Sequence, residues 1–345
     1  MNRKRLLLFL LAALLAVGLG TAVALLTRVP IPSSAEAQIV TYTRNKPTAE
    51  VTVAILDSGG TQVQAYGHDG KIIPVPERAY EIGEITQTFT GAIAAKAVAE
   101  GRLSPNEAIS EVLPLSRSAY TPTVSELLTH SSAYADYAPD DSSSARLLGK
   151  NPYTGTDINA LVSAMNTFHL TSEAPYLYSF SPFGAAAMGA VISEVYDVDF
   201  YSILTIFAQT ELGLTHTYVS LEKTVEYGWI WNSSDAYLAS CGLTSTIGDM
   251  ASYVKHYLYA DEDYLRLASE PFYEASADHL LGYFWDVYNG GSILASSGET
   301  SHYAAALRID REKQAAVIVL SNYPNDKYGD VSSIAAALLS EHTAA

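Results

Sequence analysis

Cysteine is almost missing from this sequence. Cys241 is the only one in 345 residues, which excludes an internal disulfide framework and any zinc site built from several thiolates. It reads as a small buried residue and leaves the redox compartment undecided. Basic residues are scarce as well: 20 Lys and Arg stand against 37 Asp and Glu, a net charge of −17, which argues against nucleic acid or anionic lipid as a partner of the folded part. None of the eight histidines forms an HxxxH pair on a predicted helix with a third ligand nearby, so neither a metal site nor a cofactor is expected. Internal repeats and long low-complexity segments are absent too, Asp140 to Ser144 being the most loop-like stretch.

What is present is apolar content, 48% of residues, enough for a sizeable core in one large or two modest domains. Asn2-Arg3-Lys4-Arg5 precedes an uncharged run from Leu6 to Leu26. As a helix this run would be about 31 Å long, enough to cross a bilayer core. The charge ahead of it places residues 1–5 in the cytoplasm and the rest outside, the expected pattern of a single-pass cell-membrane protein. The competing reading is a secretory signal cut after Ala35-Glu36-Ala37, giving a secreted domain; the run exceeds the usual h-region of roughly 7–15 residues, which favours the anchor over residues 6–26. Residues 27–48, with Pro30, Pro32, Ser33, Ser34 and Pro47, read as a linker, and 49–345 as the folded domain.

Within that domain, Val51 to Asp57 and Gln62 to Tyr66 flank a Gly-containing turn and predict a hairpin. Phe89 to Val98 predicts a helix ended by Gly101. Capping patterns at Ser104-Pro105-Asn106-Glu107, Thr123-Val124-Ser125-Glu126 and Thr246-Ile247-Gly248-Asp249 predict three further helix starts. Strands are expected over Leu280–Tyr288, Ser292–Ser296, His302–Asp310 and Ala315–Asn322, and a closing helix over Val331–Glu341. Strands at both ends around a helical middle predict an α/β fold of the α+β type, with one antiparallel sheet built from both termini and a helical lobe.

The most informative segment is Tyr80-Glu81-Ile82-Gly83-Glu84-Ile85-Thr86-Gln87-Thr88-Phe89-Thr90. With Glu126-Leu127-Leu128-Thr129-His130-Ser131-Ser132, Gly242-Leu243-Thr244-Ser245-Thr246 and the strand ending at Asn322, it resembles the serine β-lactamase and penicillin-binding-protein family, in particular its class C and D-alanyl-peptidase branch. The resemblance runs from about Val51 to Asn322 and implies that family's sheet and helical lobe. It also implies a nucleophilic Ser where this chain has Glu84 and a Lys where it has Gln87. A carboxylate is a poor acyl acceptor here, and an amide cannot act as a base. The family's second motif, Tyr-(Ser/Ala)-Asn-x-Gly, aligns with Phe180, Ser181 and Pro182, or, after a two-residue slip, with Tyr178-Ser179. Its third, (Lys/His)-x-Gly, aligns with Ser296-Ser297-Gly298, where the glycine is kept and the charge is not.

Ser220-Leu221-Glu222-Lys223 and Ser252-Tyr253-Val254-Lys255 also fit SxxK, but lack the surrounding signature and read as chance matches. The expected pocket is formed by Glu84, Gln87, Tyr178, Ser181, Ser297, Gly298 and Glu299, with the Glu84 and Glu299 backbone N–H groups in the family's oxyanion-hole places. Glu84 and Gln87 are expected to fill the vacated site with hydrogen bonds. Tyr134, Tyr137, Tyr176 and Tyr178 are candidates for a groove, though rim and surface roles suit them better. The function expected is a catalytically inactive family member that binds a cell-wall peptide or β-lactam-like ligand, or serves as a scaffold for a membrane protein. The alternative is an active β-lactamase, D-alanyl peptidase or esterase using non-standard residues, such as Glu84 with Tyr178 or Thr86.

Overall fold

The computed structural model describes residues 32–116, 121–134, 148–167, 177–259 and 262–344. Nine strands form one antiparallel sheet in the order β3-β2-β1-β12-β11-β10-β9-β8-β7. The N-terminal hairpin supplies β1 (Val51–Asp57), β2 (Gly60–Tyr66) and β3 (Ile72–Ile73). The C-terminal part supplies β7 (Tyr273–Ser276), β8 (His279–Leu281), β9 (Asp286–Tyr288), β10 (Ile293–Glu299), β11 (Ala304–Asp310) and β12 (Ala315–Ser321). The termini meet where β1 pairs with β12, from Val51 opposite Ser321 to Leu56 opposite Ala316. This is the sheet expected from both ends of the chain.

Both faces of the sheet are covered, which explains why its central strands are nearly continuous apolar runs. Val51, Val53, Val317 and Val319 point to one face, beneath α1 (Ala35–Thr43) and α10 (Val331–Thr343). Ala54, Leu56, Ile318 and Leu320 point to the other, against the helical lobe. That lobe contains α2 (Thr86–Ala99), α3 (Val124–Leu128), α4 (Ile158–Met165), α5 (Pro182–Tyr196), α6 (Phe200–Thr205), α7 (Leu238–Cys241), α8 (Ile247–Tyr259) and α9 (Asp263–Ser269). A second small sheet, ordered β4-β6-β5, joins β4 (Tyr80–Glu81), β6 (Leu243–Ser245) and β5 (Tyr218–Val219) beside the start of α2.

Three local expectations differ from the structure. Residues 35–43, expected within the linker, are helical: Ser34 caps α1, the Ala35 N–H donates to Glu341 Oε1 at 2.8 Å, and Ile39 and Tyr42 are buried in the outer core. The pattern at Ser104–Glu107 closes a turn instead of starting a helix, since only a single 3₁₀ turn follows, over Ile109–Glu111. The run Leu280–Tyr288 is two strands, β8 and β9, folded back at Gly282 to Trp285. By contrast, the Thr123–Glu126 capping box forms with both of its reciprocal bonds. The expected membrane span over residues 6–26 lies outside the described residues, and among the described residues no helix is long and apolar enough to cross a membrane.

Tyr42 is what fastens α1. Its hydroxyl donates to the Tyr323 carbonyl at 2.6 Å and lies 3.0 Å from Ser321 Oγ, while Lys46 Nζ sits 3.2 Å above its ring. A cut after Ala37 would remove the cap and first turn of this packed helix. Tyr42→Ala is expected to lower unfolding free energy by roughly 3–5 kcal/mol through lost burial and hydrogen bonds. Denaturant titration checks this, and an unchanged midpoint would mean that α1 does not belong to the folding unit.

Candidate functional site

The site is built where α2 begins against β10. The chain leaves β4, makes a tight 3₁₀ turn over Gly83–Ile85 and enters α2 with Gly83 at φ +51°. A methyl on Gly83 would stand 2.5 Å from Glu299 N, and one on Gly298 would overlap Glu84 N and the Ile82 carbonyl oxygen. The two glycines therefore let the backbones of the turn and of β10 touch.

Hydroxyls secure the rest of the α2 start. The Leu243 N–H donates to Thr86 Oγ1 at 3.1 Å, Thr90 Oγ1 donates to the Ala239 carbonyl at 2.6 Å, and Thr88 Oγ1 pairs with the Tyr253 hydroxyl at 2.7 Å. Phe89 stacks on the Tyr253 ring with centroids 4.1 Å apart. Each polar side chain on this buried helix thus has a partner, as burial requires.

Between the α2 start, β10, β9 and the segment after α3 lies a cleft of about 330 Å³. Glu84, Gln87, Tyr178, Ser297, Gly298 and Glu299 line it, as do Phe180 and Ser296. Both Tyr178 and Phe180 reach the cleft, so the second-motif alternatives share one wall. Ser181 is not among the lining residues; its hydroxyl accepts the Gly184 N–H and caps α5. Tyr134 is buried against Phe183 and plays no part in a groove, while Tyr137, Tyr176 and Asp140 to Ser144 lie outside the described residues.

The decisive contact is made by Glu84. Its Oε2 accepts the Glu299 backbone N–H at 2.8 Å, so the side chain occupies one of the two donors that the family's geometry would offer to an oxyanion. The Glu299 carboxylate in turn accepts the Asn325 N–H at 3.1 Å. Gln87, 2% exposed, donates from Nε2 to Ser240 Oγ at 3.0 Å.

Burial shifts two titratable groups on the cleft walls. Burial pushes the Tyr178 phenol up to about 12. Burial also drives His130 down to about 4 and keeps it neutral, with Nδ1 accepting the Ser181 N–H at 3.2 Å. Thr86 is fully buried, its oxygen accepts the Leu243 N–H, and it is not among the residues that line the cleft. Neither SxxK match enters the cleft: Ser220 is buried among Thr224 and Thr244, and Ser252 is an exposed residue of α8 that bonds the Gly248 carbonyl.

A family model described as Beta-lactamase matches residues 37–340. The chain belongs to the beta-lactamase family. A beta-lactamase of Providencia stuartii is 29% identical over 181 residues, covering 51% of this chain and 44% of that protein. Protein flp of Staphylococcus aureus strain COL is 22% identical over 299 residues, covering 77% of this chain and 57% of that protein. The chain spans about half the length of these relatives. Among solved structures, the octameric penicillin-binding protein homologue from Pyrococcus abyssi superposes with a TM-score of 0.75 at 21% identity, covering 90% of this chain and 77% of that one. A class C beta-lactamase superposes with a TM-score of 0.71 at 17% identity over 89% and 96% of the two chains. These likenesses establish the fold.

Sequence reasoning missed the far wall of the cleft. Asp286, Trp285, Phe284, Leu128, His130 and Asn325 also line it, and His279 Nε2 lies 2.6 Å from Asp286 Oδ1, a hydrogen bond that raises the His279 pKa. Reading Leu280–Tyr288 as a hairpin turning at Gly282 would have brought His279 beside Asp286. Among the described residues no group of three or more His, Cys, Asp or Glu is placed to hold a metal ion.

Glu81, one turn before the site, accepts hydrogen bonds from the Trp229 N–H and Thr300 Oγ1. Burial nevertheless raises its pKa from 4.5 to about 7. Between those values the unfolded chain has released this proton and the folded one has kept it, so the contribution to stability falls as pH rises. Glu81→Gln is expected to remove that slope, gaining stability over wild type by on the order of 3 kcal/mol between pH 4.5 and 7. Denaturant curves at stepped pH check this; parallel profiles for the two proteins would refute it. Gly298→Ala is expected to cost roughly 1–3 kcal/mol or more, because backbone atoms on the facing turn cannot yield.

Proposed function

We propose that this beta-lactamase-family domain does not carry out acyl transfer on serine and uses its cleft to bind a peptide ligand of the cell-wall type. The observation that carries this reading is the Glu84 carboxylate on the Glu299 N–H. In the family's reaction that donor is reserved for charge developing on the substrate carbonyl; here the Glu84 side chain holds it before any ligand arrives. The nucleophile, its base and the cation for the substrate carboxylate are replaced by Glu84, Gln87 and Ser296. The cleft itself persists at a size suited to a few peptide residues. The names of the relatives, a beta-lactamase and a penicillin-binding protein homologue, support a cell-wall peptide as the ligand class. The basic and apolar N-terminus supports a cell-membrane location with this domain outside the cytoplasm, where such peptides occur and where a membrane protein could be a further partner.

The test is direct. The purified protein is expected to form no covalent adduct with a fluorescent penicillin or a fluorophosphonate, read by gel fluorescence and intact mass. An adduct on any serine overturns the reading. Glu84→Ser combined with Gln87→Lys is expected to leave nitrocefin turnover at background, since Phe180, Pro182 and Ser296 remain; measurable turnover would show that the rest of the machinery is intact.

A further inference from the structure

We infer that the cavity between α8, α9 and the turn joining β11 to β12 binds a phosphate-type oxyanion, with Arg311 as its principal holder. The inference does not depend on the role proposed for the cleft, since the two cavities share no lining residue. This second cavity has a volume of about 210 Å³. Arg311 from the turn, Arg266 from α9 and His256 from α8 line it, so basic groups converge from three separate elements. Glu262 is the one carboxylate in the lining, which leaves the cavity net positive even with His256 neutral.

The pairing of these groups shows which charge lacks a counterpart. Arg266 is paired with Asp263 in the same helix. His256 has Nε2 at 3.2 Å from the Leu212 carbonyl oxygen and Nδ1 at 3.8 Å from Glu262. Arg311 has no such acid. Its Nη2 donates to Ser269 Oγ, a neutral hydroxyl that itself donates to the Leu265 carbonyl at 2.8 Å. The adjacent Asp310 carboxylate is spent on its own turn, where it accepts the Lys313 N–H at 2.9 Å. Among the described residues the carboxylate whose field reaches Arg311 is Glu270, which is exposed and outside the lining.

Burial lowers the Arg311 pKa, as expected for a cation drawn away from water with incomplete compensation. In a chain of net charge −17 such a cation is unusual, and an anion entering the cavity would supply what the fold withholds. The group is also held in place before any ligand arrives. The Arg311 N–H donates to the Ser292 carbonyl at 2.9 Å, and Ser269 is fully buried. Ser269 uses one donor of the planar guanidinium, and the others remain for a ligand's oxygens. Donors arriving from three elements suit a tetrahedral oxyanion better than a planar carboxylate.

Equilibrium dialysis of the full-length protein in detergent against radiolabelled inorganic phosphate tests this, at constant ionic strength set with chloride. Saturable binding of one phosphate per chain is expected, with a Kd of about 1 mM or tighter at low salt. Arg311→Gln is expected to weaken it by about tenfold or more, and Arg266→Gln by a smaller factor. Competition by glycerol 3-phosphate identifies the source: stronger displacement than by unlabelled phosphate marks a phosphomonoester as the ligand, and weaker displacement marks the free ion. Circular dichroism checks that each variant folds, and Arg266→Gln, an exposed position, decides should Arg311→Gln fail to. Absence of saturable phosphate binding, or binding unchanged in the variants that fold, would overturn the inference. A penicillin adduct would leave it standing, because acylation concerns the other cavity.

Discussion

One backbone contact organises the site: the turn at Gly83 and the strand at Gly298 lie so close that neither position has room for a side-chain carbon. This proximity sets the Glu299 N–H beside the first turn of α2 and within reach of whatever side chain position 84 carries. With serine there, the two backbone N–H groups would be open to a substrate oxygen. With glutamate, the longer side chain reaches the donor itself. The Glu84 carboxylate thus engages the Glu299 N–H in a ground-state hydrogen bond between protein groups, which is favourable for the fold.

The scaffold survives this change because its stability is held elsewhere. The start of α2 is fixed by Thr86, Thr88 and Thr90 to the segments around β6, α7 and α8, and none of these bonds involves the reacting positions. Gln87 fits the same logic. At 2% exposure an ammonium would need compensating charge, whereas an amide needs only a partner such as Ser240. Packing and hydroxyl clamps therefore hold the start of α2, while Gln87 is satisfied by its own neighbour. Family membership and fold consequently carry no statement about reaction in this chain.

Much of this was legible in the sequence because the signals were local. The Val51–Tyr66 hairpin, the β-rich run over Ala315–Asn322 and the Thr123 capping box depend on nearest neighbours, and each appears as expected. The near wall of the cleft was legible through motif spacing, which located Glu84, Ser297 and Gly298. What escaped depends on tertiary packing. Helix α1 has a weak amphipathic pattern between proline-rich flanks, and it is held by Glu341, Tyr323 and Ser321, residues about 280 or more positions away. The Ser104 pattern has the right caps, but the backbone behind it pairs with the segment before α3, Ala108 opposite Thr123 and the Ile109 N–H on the Pro122 carbonyl, so the turn is not propagated. Asp286 and His279 are hidden inside what reads as one strand, and the fold-back at Gly282 is fixed by the Ala268 and Leu128 carbonyls, which accept from Tyr283 and Phe284.

The same tertiary origin explains why the charge of the cleft could not be read from any single motif. Glu84 lies at a helix start, Asp286 on a hairpin strand and Glu299 at a strand end, and the first two are some 200 positions apart in sequence. Only the fold brings them to one cavity. Asp286 joins Glu84 and Glu299 only because the chain folds back at Gly282, so three acidic side chains in one cleft are a product of the tertiary structure and of no single motif.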